Sequence, residues 1–410
     1  MIQISLPQVE DSPIHARRRV KYIRNVDQLE GIPEAERAKL KRVAEKYVFR
    51  GNDYYLELID WNDPDDPIKQ LIIPREEELR DGGELDASNE RAVTITRGVQ
   101  HKYTDTVLLL CNEVCGAYCR YCFRKRLFMD ENDEVTNDVS EGIAYIRRHK
   151  EVRNVLLTGG DPLLMSTRRL VEILEALRAI DHVQIIRIGS KMPAFDPWRL
   201  VNDPQLQAAL AEFSGPTQRI YLMAHFDHPR ELTPEAIEGI ACFIRNGVIC
   251  VNQCPLIKGV NDDPQVLAEM YRKLSYIGCP PYYLFQGRPT QGNDPYKVPI
   301  VRGWRIFTEA LRQGSGLACR ARLVMSHETG KIEIVGVDGL HIYGRYHRAK
   351  DPALRGRFLV FHRDDDAHWL DELEPADRTT ESNFSYSAQM VDDDAGTRPA
   401  AGARSGYCDA

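Results

Sequence analysis

The stretch "NVLLTGGDPLLMSTRRLVEILEALRAIDHVQIIRIG", residues 154 to 189, decides the fold. It opens with a short apolar run closed by Gly159 and Gly160, passes through "TRRLVEILEALRAI" at helical spacing, and ends on a second short apolar run. The alternation continues on both sides. Upstream, "TVLLLC" precedes "SEGIAYIRRH"; downstream come "RIYLMAHF", "VICVNQCPL" and "YYLFQG". Helical patterns "PQLQAALAEF", "TPEAIEGIACFIRNG" and "PQVLAEMYRKLSYIG" separate successive runs, and "GWRIFTEALRQ" follows the last. Six strand-helix units in a row predict an α/β chain with a parallel sheet covered by helices, either doubly wound or curled into a barrel. In both architectures ligands sit beyond the C-terminal ends of the strands.

The rest of the chain sets bounds on this core. Its 410 residues are 43% hydrophobic and carry a formal charge of -7, which argues against a nucleic-acid binder and for small-molecule chemistry. The longest apolar runs, such as "VLLL" from Val107, fall far short of the roughly 18 to 20 residues of a membrane span, and the N-terminus has no export signal. A cytoplasmic protein with no membrane partner is expected. Residues 1–100 read as a charged, helix-rich extension, with a helix starting at Pro33 and "DYYLELIDWNDPDDPIKQLIIP" as loop. The core spans 101–330. Residues 331–371 read as a β region, in which "KIEIVGVDGLHIYGRYH" is a hairpin with an Asp-Gly turn and "RGRFLVFHRD" a further strand. The tail, 372–410, is poor in large aliphatics and is expected to be disordered.

Ten cysteines in a chain without a secretory signal favour reduced thiols over a disulfide framework. Cys111, Cys115, Cys119 and Cys122 cluster in "CNEVCGAYCRYCFRKR" at the end of the first strand, where this architecture builds its active site. From Cys115 the spacing is C-x3-C-x2-C. Three thiolates leave one metal position open, and in an iron-sulfur cluster that leaves one iron for a substrate or cofactor. The following Arg124, Lys125 and Arg126 would stabilise an anionic cluster. A structural zinc loop and a redox CxxC are the alternatives, and Cys111 reads as the buried end of a strand.

With these motifs in place, the chain resembles the radical S-adenosylmethionine superfamily, whose three cysteines ligate a [4Fe-4S] cluster and whose cofactor chelates the fourth iron. The segment "TGGDPL" ends the second strand as that superfamily's Gly-Gly-Glu-like segment does, which implies that Thr158, Gly159, Gly160 and Asp161 border the methionine amino group. More narrowly, "HKYTDTVLLLCNEVCGAYCRYCFRKR", "LLTGGDPLL", "NQCPLIKGVND", "YYLFQ" and a late "GK" resemble, in order, the lysine 2,3-aminomutase family. The likeness runs from about residue 45 to 335 and implies a partial (β/α)6 barrel that binds S-adenosylmethionine and pyridoxal phosphate and moves an amino group between adjacent carbons. It also implies that Lys331 forms the internal aldimine, that Arg124 grips the substrate α-carboxylate through its planar fork, and that Lys102, beside His101, contacts the cofactor phosphate. Thr106 stands where an arginine is usual. His225 and Gln253 match polar pocket positions. An amino acid substrate and an external electron donor of flavodoxin or ferredoxin type are implied partners.

The departures concern substrate and assembly. Lysine-using enzymes hold the distal ammonium with two aspartates; here the corresponding positions are Arg288 and Ser326. Opposite charges about 4 Å apart are worth roughly 4 kcal/mol at an effective dielectric of 20, so Arg288 should repel lysine and attract an anion. The pattern is similar to the glutamate 2,3-aminomutase branch, which makes L-glutamate the expected substrate and β-glutamate the product. Lysine or another amino acid, a divergent radical reaction on the same scaffold, and a non-enzymatic zinc-binding protein are the alternatives. The family's C-terminal zinc ligands are missing, since only Cys408 follows Cys319 and Asp263 stands at the remaining ligand position. A homo-oligomer is expected, but not one held by that zinc.

Overall fold

The computed structural model describes residues 18–129 and 132–382. Helix α1 (Glu34–Lys46) starts at Pro33 as predicted. Strands β1 (Thr94–Thr96) and β2 (Val99–Tyr103) then lead into β3 (Thr106–Asn112). The repeating units follow: α2 (Ser140–Arg148), β4 (Asn154–Gly159), α3 (Thr167–Arg178), β5 (Ile185–Ser190), α4 (Pro204–Phe213) and β6 (Arg219–Ala224). The succession continues with α5 (Pro234–Arg245), β7 (Ile249–Pro255), α6 (Pro264–Tyr276), β8 (Pro281–Phe285), α7 (Ile300–Arg312) and β9 (Arg322–His327). Strands β10 (Gly330–Val337), β11 (His341–Ala349) and β12 (Phe358–His362) complete one sheet.

Strands β3 to β9 are parallel and lie side by side in chain order. An order without reversal excludes the doubly wound alternative, whose strand order turns back at a switch point. Right-handed crossovers in one direction place every helix on the same face, which is the wall of a barrel. The burial pattern records this. In β4, Val155 and Leu157 are fully buried under the helices while Leu156 and Thr158 alternate with them toward the inside; β5 repeats this with Ile186 and Ile188 against Arg187 and Gly189. The helix starts are written locally: Pro204, Pro234 and Pro264 each open a helix behind a capping Asp203, Thr233 or Asp263. Asp263, read above as a lost metal ligand, accepts from the Gln265 and Val266 amides at 2.7 and 3.2 Å.

Four expectations need correction. There are seven parallel strands among the described residues, not six, because "RLVMSH" adds β9 beyond the last predicted unit. The segment read as loop contains two helices, Asp53–Leu56 and Pro67–Ile72, each started by a side-chain cap, Asn52 and Asp66. The extension before residue 100 is not purely helical, since β1 and β2 extend the sheet at its edge. The order of the chain also outlasts residue 372: the Ala376 amide donates to Val360 O and the Val360 amide to Thr380 Oγ1, each at 2.8 Å, with Thr380 buried. These bonds cover the outer edge of β12. Residues 383–410, including Cys408, lie outside the described residues, as do residues 1–17.

The N-terminal segment braces the cysteine loop. Arg120, lying between two of the cysteines, forks onto Glu78 with bonds of 2.7 to 3.1 Å, and both side chains are almost completely buried. Two backbone bonds run alongside, from the Tyr118 amide to Arg50 O at 3.0 Å and from the Arg120 amide to Leu71 O at 2.9 Å. Glu78→Ala would leave a guanidinium buried without its counter-charge. We expect a loss of about 3–5 kcal/mol of stability, read as a lowered denaturant midpoint.

Candidate active site

A cavity of about 340 Å³ opens at the C-terminal ends of the parallel strands, and every predicted site residue lines it except His101. Strand geometry explains the exception. His101 and Lys102 are neighbours on β2, so they face opposite sides. Lys102 turns inward, while the His101 ring bonds Tyr145 Oη at 2.8 Å and Thr104 O at 3.2 Å outside the cavity.

Cys115, Cys119 and Cys122 line the same cavity from the loop after β3. Burial pushes the Cys115 thiol well above its ordinary range, the Cys119 thiol up to about 12, and the Cys122 thiol upward. Thiols so placed become thiolates only when a cationic group takes them as ligands. The Arg124 amide already donates to Cys122 Sγ at 3.4 Å, a bond that favours the thiolate. Three thiols facing one cavity with a donor on sulfur fit a cluster held by three cysteines. Cys111 does not join them: it is fully buried within β3, with its Sγ toward Thr158 O at 3.6 Å.

The Gly-Gly segment is fastened to this loop. The Gly160 amide donates to Asn112 O at 2.5 Å, and Asn112 Nδ2 donates to Val114 O and Asp161 O at 2.8 and 2.6 Å. A Cβ on Gly160 would stand 2.5 Å from Val114 O, so no larger residue permits the approach. Asp161 accepts from Ser190 Oγ (2.9 Å), the Lys191 amide (2.8 Å) and the Leu163 amide (3.0 Å), while burial raises its pKa to about 6. His225 bonds Asp227 Oδ1 at 3.0 Å and Tyr121 Oη at 3.2 Å.

A second region of the wall is rich in guanidinium groups. Arg124 gives its Nε and Nη2 to Glu90, at 3.1 and 3.0 Å, and its Nη1 to Thr158 Oγ1 at 2.9 Å. The fork expected to hold a substrate carboxylate is therefore already engaged: Glu90 takes the Nε–Nη2 edge, Thr158 Oγ1 takes Nη1, and Gln100 Oε1 accepts from Nη2 at 3.4 Å, so a ligand carboxylate has to displace the two neutral acceptors. Burial alone would push the Glu90 carboxyl up, but Arg124 and Arg288 outweigh it and hold the group below the usual carboxylate range. Arg288 lies flat on Phe123, 3.6 Å from its ring centroid, and 3.7 Å from Glu90. Its Nη1 is buried without a hydrogen-bond partner.

At the far side Lys331, on β10, pairs across the sheet with Ser326 of β9, its Nζ 3.4 Å from Ser326 Oγ. Burial lowers the Lys331 amine well below the ordinary lysine range, and Arg288, Lys102, Arg187 and Arg348 add to the effect. An unprotonated amine is a nucleophile toward an aldehyde. Burial likewise takes Lys102 down to about 7. An amine biased toward its neutral form and ringed by cations fits a cofactor that is both aldehyde and anion. Glu90, Arg187 and Arg348 are among the charged lining residues that the sequence does not announce. Glu90 and Arg348 carry no motif and arrive from distant segments, whereas Arg187 sits at an inward position of a recognised strand, a signal that was available.

Comparison with known proteins adds the following. Residues 110–270 match the Radical SAM superfamily. A protein of Aquifex aeolicus, provisionally named L-lysine 2,3-aminomutase, is 52% identical over 356 residues, covering 87% of this chain and 95% of that protein. The L-lysine 2,3-aminomutase of Fusobacterium nucleatum is 34% identical, over 74% of this chain and 70% of its own length. The glutamate 2,3-aminomutase of Clostridioides difficile is 30% identical, over 76% and 73%.

Proposed function

This chain belongs to the lysine 2,3-aminomutase family of radical S-adenosylmethionine enzymes, and we propose that the amino acid it isomerises is L-glutamate, giving β-glutamate. As a radical S-adenosylmethionine amino acid 2,3-aminomutase it is an isomerase that uses a [4Fe-4S] cluster, S-adenosylmethionine, pyridoxal phosphate and an external reductant. Together the bound groups supply a carbon radical strong enough to take hydrogen from an unactivated β-carbon and a carbonyl through which nitrogen can move.

In this reading Cys115, Cys119 and Cys122 hold the cluster, Thr158 to Asp161 border S-adenosylmethionine, and Lys331 holds pyridoxal phosphate with Lys102 near it. His225 and Gln253 add polar groups to the wall of the same cavity. The protein's own work is placement, because a radical displaced by about 1 Å meets the wrong hydrogen. Arg124 takes the α-carboxylate by exchanging its bonds to Thr158 and Gln100 for it.

The observation that carries glutamate is Arg288, a buried cation on the cavity wall whose Nη1 makes no hydrogen bond and has only the shared Glu90 carboxylate nearby, at 3.7 Å. A buried cation with an unmet hydrogen bond favours a carboxylate and opposes an ammonium. The two lining carboxylates, Glu90 and Asp161, are already engaged by arginines and by protein donors respectively, so neither stands ready for the ε-ammonium of lysine. Ser326 in turn offers only a hydroxyl.

The test is anaerobic incubation of reconstituted enzyme with S-adenosylmethionine, a reductant, and glutamate or lysine, followed by separation of α and β isomers. We expect β-glutamate, and a kcat/KM for glutamate lowered about 30-fold or more in Arg288→Gln, which removes the charge without adding a carboxylate beside Glu90. Conversion of lysine and not glutamate by the unaltered enzyme would overturn the substrate while leaving the family untouched.

A further inference from the structure

We propose that Arg348, from the C-terminal hairpin, is a binding residue for the phosphate of the pyridoxal cofactor, and that it supplies from a distant strand the guanidinium that Thr106 lacks. The inference rests on pyridoxal phosphate being held at Lys331 and not on which amino acid is the substrate.

The register is the first ground. Lys331 and Arg348 are direct cross-strand partners in the antiparallel pair of β10 and β11. Partners of this kind have Cβ atoms about 5 Å apart, and two basic side chains placed so oppose each other's charge. The chain nevertheless builds the pairing tightly: a Cβ on Gly330 would collide with the Arg348 carbonyl, so glycine is what lets the strands close at this point. Both side chains line the same cavity.

The second ground is the setting of the guanidinium. Arg348 lies 4.3 Å over the Tyr103 ring, and its Nη1 donates to Thr106 Oγ1 at 3.3 Å. Its carboxylate neighbour is Asp105, which is 59% exposed and therefore a screened, outer partner. On the cavity side Lys102 and Arg187 face the same space; Lys102 donates to His327 O and Arg187 to Asn154 Oδ1, both neutral acceptors. Several cations thus surround one amine, and the only acceptors these contacts supply on the inner side are uncharged. A dianionic phosphate ester, tethered through its aldehyde to Lys331, relieves that repulsion.

The experiment needs no turnover. Reconstituted enzyme is titrated with pyridoxal phosphate and separately with pyridoxal, which lacks the phosphate, following the visible band of the bound cofactor and the mass of the peptide tagged at Lys331 by borohydride. For Arg348→Ala we expect the Kd for pyridoxal phosphate to rise roughly 10- to 100-fold with that for pyridoxal unchanged. Arg348→Lys should fall between, and Thr106→Arg added to Arg348→Ala should recover most of the loss. An unchanged Kd for pyridoxal phosphate in Arg348→Ala overturns the proposal, and so does an equal weakening of both ligands, which would make Arg348 merely structural. If Arg348→Ala fails to fold, Arg348→Gln against Arg348→Lys decides the same question. If the unaltered enzyme takes up neither ligand, the cofactor assignment fails instead, and the two failures stay distinct.

Discussion

Replacing Cys115, Cys119 or Cys122 by serine, one at a time, is expected to abolish cleavage of S-adenosylmethionine and to strip most of the iron, while Cys111→Ala keeps both near the unaltered level. Serine matches cysteine in size but offers a hard oxygen in place of a soft thiolate, so the protein fold is spared and the cluster is not. The three differ from Cys111 in position rather than chemistry. They line the cavity, whereas Cys111 sits fully buried in β3. Trimming Cys111 to alanine removes one buried sulfur and should cost on the order of 1 kcal/mol in stability. Iron and sulfide content, the charge-transfer absorption of the reconstituted cluster, and release of 5'-deoxyadenosine under reducing conditions are the readouts. Loss of iron in Cys111→Ala alone, with any of the other three retaining it, would reassign the ligands.

What could be read from the sequence follows from what each residue answers to. The six predicted strands were legible because their outward residues must be apolar to meet the helices, as Val155 and Leu157 do. Strand β9 was missed because it ends in Ser326, which lines the cavity, and His327, which bonds Thr329 and Asp371, so its apolar run is only three residues long. The cysteine triplet and the Gly-Gly pair are local in sequence and so were visible; the bond from Gly160 to Asn112 shows why they must occur together. Arg288 was singled out correctly as a cavity residue, yet its neighbour Glu90 lies far away in sequence and could not be inferred. The same holds for Arg348, which meets Thr106 only after the hairpin folds back over the sheet edge. His101 was misplaced because a motif carried it in beside Lys102, while a strand turns consecutive side chains to opposite faces.

Lys331→Ala is expected to abolish aminomutase turnover and the borohydride tag while leaving iron content and reductive cleavage of S-adenosylmethionine intact. The residue faces the cavity from β10, across from the cysteine loop, so its loss should not reach the cluster. Its amine is already prepared for carbonyl capture. Burial, reinforced by Arg288, Lys102, Arg187 and Arg348, holds it well below the ordinary lysine range, which shifts the amine toward its neutral, nucleophilic form. The same depression makes a stability prediction with a definite sign. Between the lowered pKa of the folded state and the ordinary value of about 10.4, the unfolded chain binds the extra proton, so this lysine's contribution to stability becomes more favourable as pH rises through that window. Lys331→Met removes the titration and fills the space with an apolar chain. Without pyridoxal phosphate, this variant should therefore be more stable than the unaltered protein at pH 7, and the advantage should shrink toward pH 10. With saturating pyridoxal phosphate the order should reverse, because only the unaltered protein gains the linkage free energy of a bound ligand. A variant that stays less stable at every pH without cofactor would mean that Lys331 contributes to packing rather than standing as a strained nucleophile. Undiminished turnover in Lys331→Ala would remove it from the reaction altogether.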